Sequence, residues 1–342
     1  MIVSDLSARF SSGLKNLFWN VTPFRLFLTA LLIVGYTGEA EEIRVTTYNA
    51  GLLTSTGFNL VPCTTERTLP QVDRILNSVN SVPAGEGFAI LLQEVWTQYG
   101  FDSYEAAAKQ KGLYMTPEKY EDVYYNGQII ITNLPVIKTT FQTFGDDDHA
   151  YRGIRSVYVK TEKGPLVIAN VHTSYSDSSG FLPAHKKQFE VIGKFIDELP
   201  KNHQLILGGD FNAGPDMKYR QAKYDAAKTI WDEWILPVFS LRKFHSVGDM
   251  KQSTWNEETN TLVSSPARLV RLMNYYEYGM SAWDQNTARI DHIMAPDSLR
   301  ANESGVSMIR GEPLAWTCTG RSNAEGLTPL SDHYAAYANF IL

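Results

Sequence analysis

Acidic, amide and imidazole side chains recur in this chain where apolar, β-rich runs end. The clearest instance is LILGGDFN at 205–212, in which Asp210 and Asn212 follow a run of apolar and small residues. Because side chains alternate along a strand, these two side chains point to the same side. Asn49, Glu94 and His172 close other such runs, while Asp291 lies in ARID and Asp332 and His333 lie in LSDH.

A set of this kind predicts an active site. In layered α/β proteins, a rigid sheet positions polar groups at the strand ends and the loops leave them open to solvent. A single Glu or His at a strand end is usually a solvated or satisfied polar group. Several acidic, amide and imidazole groups, each following an apolar run, are hard to explain as surface turns alone.

The chemistry of the set indicates a metal-assisted reaction. Glu94 and Asp332 offer hard oxygen donors and Asn49 a neutral one, which suits one or two Mg²⁺ ions, with Mn²⁺ as a substitute. Zinc fits less well, because the chain lacks a paired His or Cys ligand motif. Two histidines near such a metal serve phosphoester hydrolysis, one by taking a proton from the attacking water and one by stabilising phosphoryl charge.

The elements that must position these residues alternate between β-rich and helical runs. Helical spacing is found at 68–80 and at 184–199. The predicted strands are 43–53, 89–95, 128–136, 154–160, 166–173, 205–212, 288–294 and 334–342. With no repeat or long linker to divide it, 41–342 is predicted to be one mixed α/β domain, in which several strands are buried on both faces.

Composition describes a folded globular protein of 342 residues, with 44% hydrophobic and 20% charged residues. The net charge of -6 and the lack of a long basic run disfavour tight, sequence-independent nucleic-acid binding, although charge at a cleft can differ from the total. Cys63 and Cys318 are too few for a disulfide scaffold, but they could form one bridge in an oxidising compartment.

The first forty residues have the order of a secretory signal. Arg9, Lys15 and Arg25 precede the apolar run LFLTALLIVGY at 26–36, and small residues follow up to Ala40. The run is shorter than the ~20 residues that span a bilayer. Residues 1–40 are therefore predicted to be a signal peptide, and the protein to be secreted or periplasmic. An uncleaved anchor and an ordinary amphipathic helix are the alternatives.

Six blocks in this order resemble the endonuclease/exonuclease/phosphatase superfamily, the group that contains DNase I, over residues 43–342. The blocks are Asn49, LQEVW at 92–96, His172, GDFN at 209–212, RID at 289–291 and SDH at 331–333. The resemblance implies a four-layer α/β sandwich of two packed mixed β-sheets flanked by helices. It also implies Mg²⁺-dependent cleavage of phosphoesters.

The same resemblance assigns roles to the matching positions. Glu94 is the principal Mg²⁺ ligand with Asn49 beside it, and Asp210 and Asn212 orient the water and the phosphate. The resemblance favours His333, held in its useful tautomer by Asp291, as the general base, while His172 supports the developing phosphorane. Whether Asp210 or His333 takes the proton of the water stays open at this stage.

Within the superfamily, the chain is similar to neutral sphingomyelinases, which implies cleavage of sphingomyelin to ceramide and phosphocholine. The similar blocks are LQEVW, 172–196, GDFNAGPDMKYR at 209–220 and STWNEETN at 253–260. Two features depart from that family: NAGLLTSTG lacks the Trp that commonly follows the Asn, and HTSY replaces HLHA or HLQA. The departures bear on the substrate and leave the hydrolytic core unchanged.

The aromatic-rich stretch 229–286 predicts a membrane surface as a partner, because Trp and Tyr favour the zone between water and hydrocarbon. Core packing is the alternative for those aromatics. Arg152 and Arg155 are predicted contacts for a phosphate or headgroup, or else a solvated edge. A nuclease, which would bring nucleic acid as a partner, and a phosphoinositide or other phosphomonoester phosphatase remain the competing enzymes. A catalytically dead binding module is disfavoured because every expected catalytic position is filled.

Overall fold

The computed structural model describes residues 42–55, 58–59, 61–117, 126–145, 152–174, 181–215, 231–256, 259–264, 287–312 and 327–342. The predicted signal peptide lies outside the described residues, as do Cys318 and the 265–286 part of the aromatic-rich stretch. Residues Ala40–Leu342 form one unit. Of the described helices, none has the length and hydropathy needed to cross a bilayer.

The strands of the described residues run in chain order as follows: β1 Glu42–Leu52, β2 Thr54–Ser55, β3 Phe58–Asn59, β4 Gly87–Val95, β5 Tyr114–Met115, β6 Ile129–Thr132, β7 Val136–Thr143, β8 Gly153–Thr161, β9 Gly164–His172, β10 Gln204–Asp210, β11 Phe244–Ser246, β12 Trp255–Asn256, β13 Thr287–Ala288, β14 Asp291–Pro296, β15 Ala301–Ser307, β16 Arg310–Gly311, β17 Thr328–Pro329 and β18 Ala335–Ile341. The α-helices are α1 Thr64–Ser78, α2 Gln98–Gln110, α3 Phe181–Glu198, α4 Leu236–Ser240 and α5 Thr261–Ser264. A 3₁₀ turn, Val79–Ser81, follows α1, and a π-helical turn, Trp231–Ile235, precedes α4.

Two six-stranded mixed sheets form the centre of the fold. The first has the order β15-β18-β1-β4-β6-β5, and the second the order β11-β14-β10-β9-β8-β7. In each sheet the central pair is parallel, β1 with β4 and β9 with β10, while the outer pairs are antiparallel. These central strands are buried along most of their length, as is typical of parallel strands covered on both faces.

The two sheets pack face to face through one apolar layer. Val45 and Leu91 of the first sheet belong to the same buried cluster as Ile168 and Ile206 of the second. Burial of each such aliphatic side chain stabilises the fold by about 1.5–3 kcal/mol relative to an exposed one.

Helices cover the outer faces of both sheets. The first sheet packs against α1 and α2 through residues that include Leu76 and Phe101, and the second packs against α3 and α4 through Phe189 and Phe239. The order helix, sheet, sheet, helix confirms the predicted four-layer α/β sandwich.

Most of the predicted elements are found, with one break that matters. The predicted strand 128–136 is two strands, β6 in the first sheet and β7 in the second, separated by a turn at 133–135. Pro135 lies in that turn, where its missing N–H interrupts no ladder. The chain therefore crosses from one sheet to the other inside what the apolar run predicted to be a single strand.

Cys63 lies immediately before α1 and is disulfide-bonded. It has the left-handed backbone conformation, with φ of 60°, and its carbonyl accepts the amide N–H of Arg67 at 2.8 Å. Cys63 therefore supplies the first backbone acceptor of α1.

Candidate active site

The strand-end residues meet because of the strand directions. Asn49 and Glu94 lie near the carboxyl ends of the parallel strands β1 and β4, and His172 and Asp210 end the parallel strands β9 and β10. Strand β14 is antiparallel to β10, so its first residue, Asp291, pairs directly with Asp210. Asp210 thus has His172 on one side and Asp291 on the other.

Asp210 is the centre of the arrangement. The Nδ2 amide of Asn49 donates a hydrogen bond to its Oδ2 at 2.9 Å, and the backbone N–H of Asn212 donates to its Oδ1 at 2.8 Å. The first bond joins the two sheets at the site, since Asn49 belongs to one sheet and Asp210 to the other. The predicted pair Asp210 and Asn212 is brought together, with Asn212 in the left-handed conformation at φ of 46°.

A buried polar bridge aligns the two sheets next to this centre. Gln93, which precedes Glu94, donates its Nε2 N–H to Asn170 Oδ1 at 2.7 Å. Asn170 in turn donates its Nδ2 N–H to the carbonyl oxygens of Leu92 and Ile129, at 2.8 and 2.9 Å. Both side chains are fully buried, so loss of either partner would leave polar groups unsatisfied at high cost.

Glu94 and His172 complete one side of the site. The Nε2 atom of His172 lies 3.6 Å from Glu94 Oε1 and 3.8 Å from Asp210 Oδ2. Burial, followed by the positive charges of Arg152 and His333, holds the pKa of His172 well below its usual range. His172 is therefore a neutral imidazole at neutral pH. Neither ring nitrogen has a hydrogen-bond partner among the described residues.

His333 and Asp291 form the other side. The Nδ1 atom of His333 lies 2.9 Å from Asp291 Oδ2, and the exposed fractions of the two side chains are 8% and 0%. Burial acts to lower the pKa of His333, but the charges of Asp291, Asp210 and Asp332 outweigh it and hold that pKa well above its ordinary value. The predicted pairing of an imidazole with Asp291 is present.

Two carboxyl groups of the site, those of Asp210 and Glu94, are destabilised in their charged forms. Burial and then the charge of Asp291 raise the pKa of Asp210 to about 7. Burial and then the charge of Asp332 raise the pKa of Glu94. Several carboxyl groups pressed together away from water favour a cation that neutralises them.

The donor set fits a divalent metal ion. The described residues contain two groups of three ligand atoms, and within each group the atoms lie within 4.8 Å of one another. One group is formed by Glu94, His172 and Asp210, and the other by Asp210, Asp291 and His333. Carboxylate oxygens dominate both groups, and the buried ring nitrogens of His172 and the Oδ1 atom of Asp291 lack hydrogen-bond partners within the described chain. Carboxylate oxygens and the unprotonated ring nitrogen of a neutral histidine are suited to coordinate a cation.

Asp332, a predicted metal ligand, lies outside both groups of the described residues. Its Oδ1 accepts a hydrogen bond from Ser331 Oγ at 3.1 Å and lies against Gly51, at a place that a Cβ atom would occupy. The side chain is thus held beside the end of β1, and its charge acts on Glu94 and His333 from there.

The two predicted substrate-binding arginines have different surroundings. Arg152 is partly exposed, and its Nη1 lies 3.5 Å from Ser174 Oγ, close enough to His172 for its charge to act on that imidazole. Arg155 is only 2% exposed, and its Nη1 donates to the carbonyl oxygen of Pro117 at 3.0 Å. The guanidinium of Arg155 therefore contacts the protein's own backbone, and its contact with the substrate stays a prediction.

Sequence reasoning missed three residues that hold the site in place. Thr254, in the STWNEETN block, accepts the amide N–H groups of Ile290 and Asp291 on its Oγ1, at 3.0 Å each. His185 lies on the predicted helix 184–199, and His292 follows Asp291 directly. The sequence signal that could have found them is a hydroxyl or imidazole residue that lies in or next to a predicted catalytic block or helix.

His185 and His292 hold the GDFN loop from two sides. His185 Nε2 lies 2.9 Å from the carbonyl oxygen of Phe211, and His292 Nε2 lies 2.9 Å from that of Ala213. Because a carbonyl only accepts, each imidazole must carry its proton on Nε2. Burial lowers the pKa of His185 to about 4 and that of His292 to about 3, so both are neutral donors at neutral pH.

Comparison with known families agrees with this geometry. The model of the Endonuclease/Exonuclease/phosphatase family matches residues 46–333, which include every strand-end residue named above. No curated protein sequence matches the chain.

Solved structures share the fold at low identity. The chain superposes on SmcL with a TM-score of 0.60 at 15% identity, over 88% of this chain and 99% of that one. For sphingomyelinase C from Streptomyces griseocarneus the TM-score is 0.54 at 15% identity, over 87% and 99% of the two chains. For D. rerio TDP2 complexed with single strand DNA product it is 0.55 at 15% identity, over 87% and 98%.

Proposed function

This chain belongs to the Endonuclease/Exonuclease/phosphatase family and is a metal-dependent phosphoester hydrolase, and on that premise we propose that it is a phospholipid phosphodiesterase. The proposed reaction is the hydrolysis of sphingomyelin to ceramide and phosphocholine with Mg²⁺. The observation that carries the proposal is the Asp210-centred cluster, in which Asn49, Glu94, His172, Asp291 and His333 converge from both sheets.

We assign metal binding to Glu94, with Asn49 beside it and Asp210 and His172 next to both. A bound Mg²⁺ ion supplies charge neutralisation at the phosphoryl oxygens and lowers the pKa of water. The protein contributes a fixed arrangement of hydrogen-bonding groups around the reacting phosphorus, which costs no reorganisation during the reaction.

The bond changes follow from the side chains present. Water attacks phosphorus and its proton passes to Asp210, whose pKa is about 7; the bond between phosphorus and the ceramide oxygen breaks, and that oxygen takes up a proton from His333, whose raised pKa keeps it protonated. His172 donates to the developing negative charge of the phosphoryl oxygens, since it is neutral and retains one N–H. His333 is held in one orientation by the 2.9 Å contact of its Nδ1 with Asp291, which leaves its Nε2 N–H for the reaction.

The substrate assignment is supported by the sphingomyelinase-like blocks and by the fold shared with a bacterial sphingomyelinase C. Arg152, partly exposed beside His172, is the residue that we assign to the phosphate of the headgroup. A nuclease is the second candidate, because one structure with this fold, D. rerio TDP2, was solved with a single strand DNA product.

We further propose that the protein is exported by residues 1–40 and works at a membrane surface. Part of the aromatic-rich stretch belongs to the core, since Trp231 and Phe239 are 5% and 0% exposed. The proposed membrane contact is therefore assigned to 265–286, which includes Tyr276 and Trp283 and lies outside the described residues.

The test is hydrolysis of sphingomyelin vesicles and of plasmid DNA by the full chain and by His333→Ala, each with Mg²⁺ and with EDTA. The proposal expects metal-dependent release of phosphocholine that falls by about 10²–10⁴-fold in the variant, the usual share of general acid–base catalysis. Cleaved DNA with intact lipid would replace the proposal by the nuclease. Normal turnover in His333→Ala would overturn the assignment of the catalytic residues.

A further inference from the structure

Arg67 on α1 has the largest fully buried side chain of the described residues, with 0% of it exposed. Its guanidinium donates to four backbone carbonyl oxygens: those of Pro62 at 2.8 Å, Gly51 at 2.6 Å, Ala50 at 3.3 Å and Leu330 at 2.5 Å. The exposed guanidinium of an ordinary helix arginine makes no such set of bonds. The planar fork of Arg is suited to several acceptors at fixed angles.

Two of these carbonyls belong to an irregularity in β1. The pairing register of β1 with β4 shifts between Asn49 and Leu52, so the backbone of Ala50 and Gly51 leaves the ladder while it is buried. A bulge of this kind re-aims side chains and is common next to active sites. Here it allows the amide N–H of Gly51 to donate to Asn49 Oδ1 at 2.9 Å, while the Asn49 amide points to Asp210.

The fourth carbonyl, that of Leu330, belongs to the segment that carries His333. Gln71, one turn further along α1, donates its Nε2 N–H to the carbonyls of both Ala50 and Leu330, at 2.8 and 2.7 Å. Tyr104 on α2 holds Gln71 by donating its hydroxyl to Oε1 at 2.9 Å. One pair of side chains thus joins two backbone segments that are far apart in sequence.

Contacts between the two segments continue directly into the site. Ser331 Oγ donates to the carbonyl oxygen of Asn49 at 2.7 Å and accepts the amide N–H of His333 at 3.1 Å. A shift of the segment at Leu330 would therefore move the amide of His333 relative to Asn49. Only Arg67 and Gln71 supply side-chain donors to Leu330 among the described hydrogen bonds.

We propose that Arg67, assisted by Gln71, is a positioning residue that fixes the β1 bulge against the 330–333 segment, so that Asn49 and His333 face Asp210 at the correct distance. This inference rests on the proposed phosphoesterase function only for its kinetic consequence. Arg67 touches neither of these two side chains and acts through the carbonyls of Ala50, Gly51 and Leu330.

The first arm of the test is hydrogen exchange, which needs no substrate. The full chain is compared as wild type, Arg67→Lys and Gln71→Leu, with Arg74→Lys as the matched control, since Arg74 is on the same helix and exposed. In the Arg67 and Gln71 variants, the amides of Gly51 and His333 should exchange at least about tenfold faster. The amide of Ile206, in the second sheet, and all amides of the control should be unchanged.

The second arm is kinetic, with a soluble phosphodiester at a temperature where circular dichroism shows each variant folded. Arg67→Lys should lower kcat by about 10–100-fold with KM within about twofold, since a misplaced catalytic group affects the transition state more than ground-state binding. A purely structural role would lower the melting temperature and leave kcat per folded molecule unchanged.

The two arms separate failure of this inference from failure of the proposed function. Unchanged exchange at Gly51 and His333 in a folded Arg67→Lys protein would overturn the inference. If Arg67→Lys does not fold, Gln71→Leu decides by the same criteria, because it keeps the guanidinium and removes the two bonds to Ala50 and Leu330 together with the one from Tyr104. A wild-type chain that cleaves no phosphoester would refute the proposed function, while the exchange arm would still decide the inference.

Discussion

The buried imidazole of His292 makes a definite prediction about stability in acid. Its ring is fully buried, lies 4.4 Å from the ring of Trp231 between centroids, and donates to the carbonyl oxygen of Ala213. Burial, followed by the positive charge of Arg289, lowers its pKa from 6.5 to about 3. Protonation in the folded state would place a charge in an apolar setting.

The sign follows from proton linkage. In the unfolded chain His292 becomes protonated near its ordinary pKa of about 6.5, whereas in the folded chain it becomes protonated only near pH 3. The contribution of His292 to stability is therefore complete above the unfolded pKa and is lost as the pH falls through this window. At about 1.4 kcal/mol per pKa unit, the loss amounts to about 2 kcal/mol at pH 5 and about 3 kcal/mol at pH 4.

The assay is urea unfolding at pH 7.5, 6, 5 and 4, followed by circular dichroism in EDTA so that metal binding makes no contribution. His292→Gln keeps an N–H donor for Ala213 and does not titrate. Between pH 7.5 and 5, the free energy of unfolding of this variant should therefore fall by about 2 kcal/mol less than that of wild type. His203→Gln, on a partly exposed turn, is the matched control. Equal pH dependence in wild type and His292→Gln would refute the reasoning.

Three further substitutions test the site. Glu94→Ala should abolish hydrolysis in dilute metal and recover part of it when the metal concentration is raised, as seen in titrations of rate against Mg²⁺; no recovery would argue against Glu94 as a ligand. Thr254→Val removes the acceptor of the Ile290 and Asp291 amide N–H groups. It should lower the free energy of unfolding in urea by about 1–3 kcal/mol and should also lower kcat. A variant as stable as wild type would contradict the positioning role of Thr254. Gly209 has φ of 155°, and the Cβ atom of Gly209→Ala would collide with the carbonyl oxygen of Val171. The free energy of unfolding should therefore drop by more than about 3 kcal/mol. A melting temperature like that of wild type would show that β9 and β10 move apart freely.

One arrangement of strands produces a largely buried, highly charged site. Asp210 is hydrogen-bonded to Asn49 from the opposite sheet and to Asn212 from its own loop, while His185 and His292 donate to the carbonyl oxygens of Phe211 and Ala213 in that loop. The reacting groups therefore cannot adjust freely, which is the condition under which fixed dipoles and charges stabilise a transition state.

The sequence by itself determined the fold class and the strand-end residues. An apolar run that ends in Asp, Asn, Glu or His predicts both a strand and the polar residue at its end from the same few residues. The ordered blocks that contain them identified the superfamily. Helices at 68–80 and 184–199 were predicted because apolar spacing is local, and they are found within α1 and α3 with small shifts of their ends.

Only the tertiary structure decided the partners of the remaining groups. The break of 128–136 into strands of two sheets, the burial of Arg155 and the position of Asp332 against Gly51 depend on residues that are distant in sequence. Arg67 is the extreme case, since its acceptor on Leu330 lies 263 residues away. Local patterns report which face of an element is apolar, whereas the partner of a buried polar group is set by packing between elements.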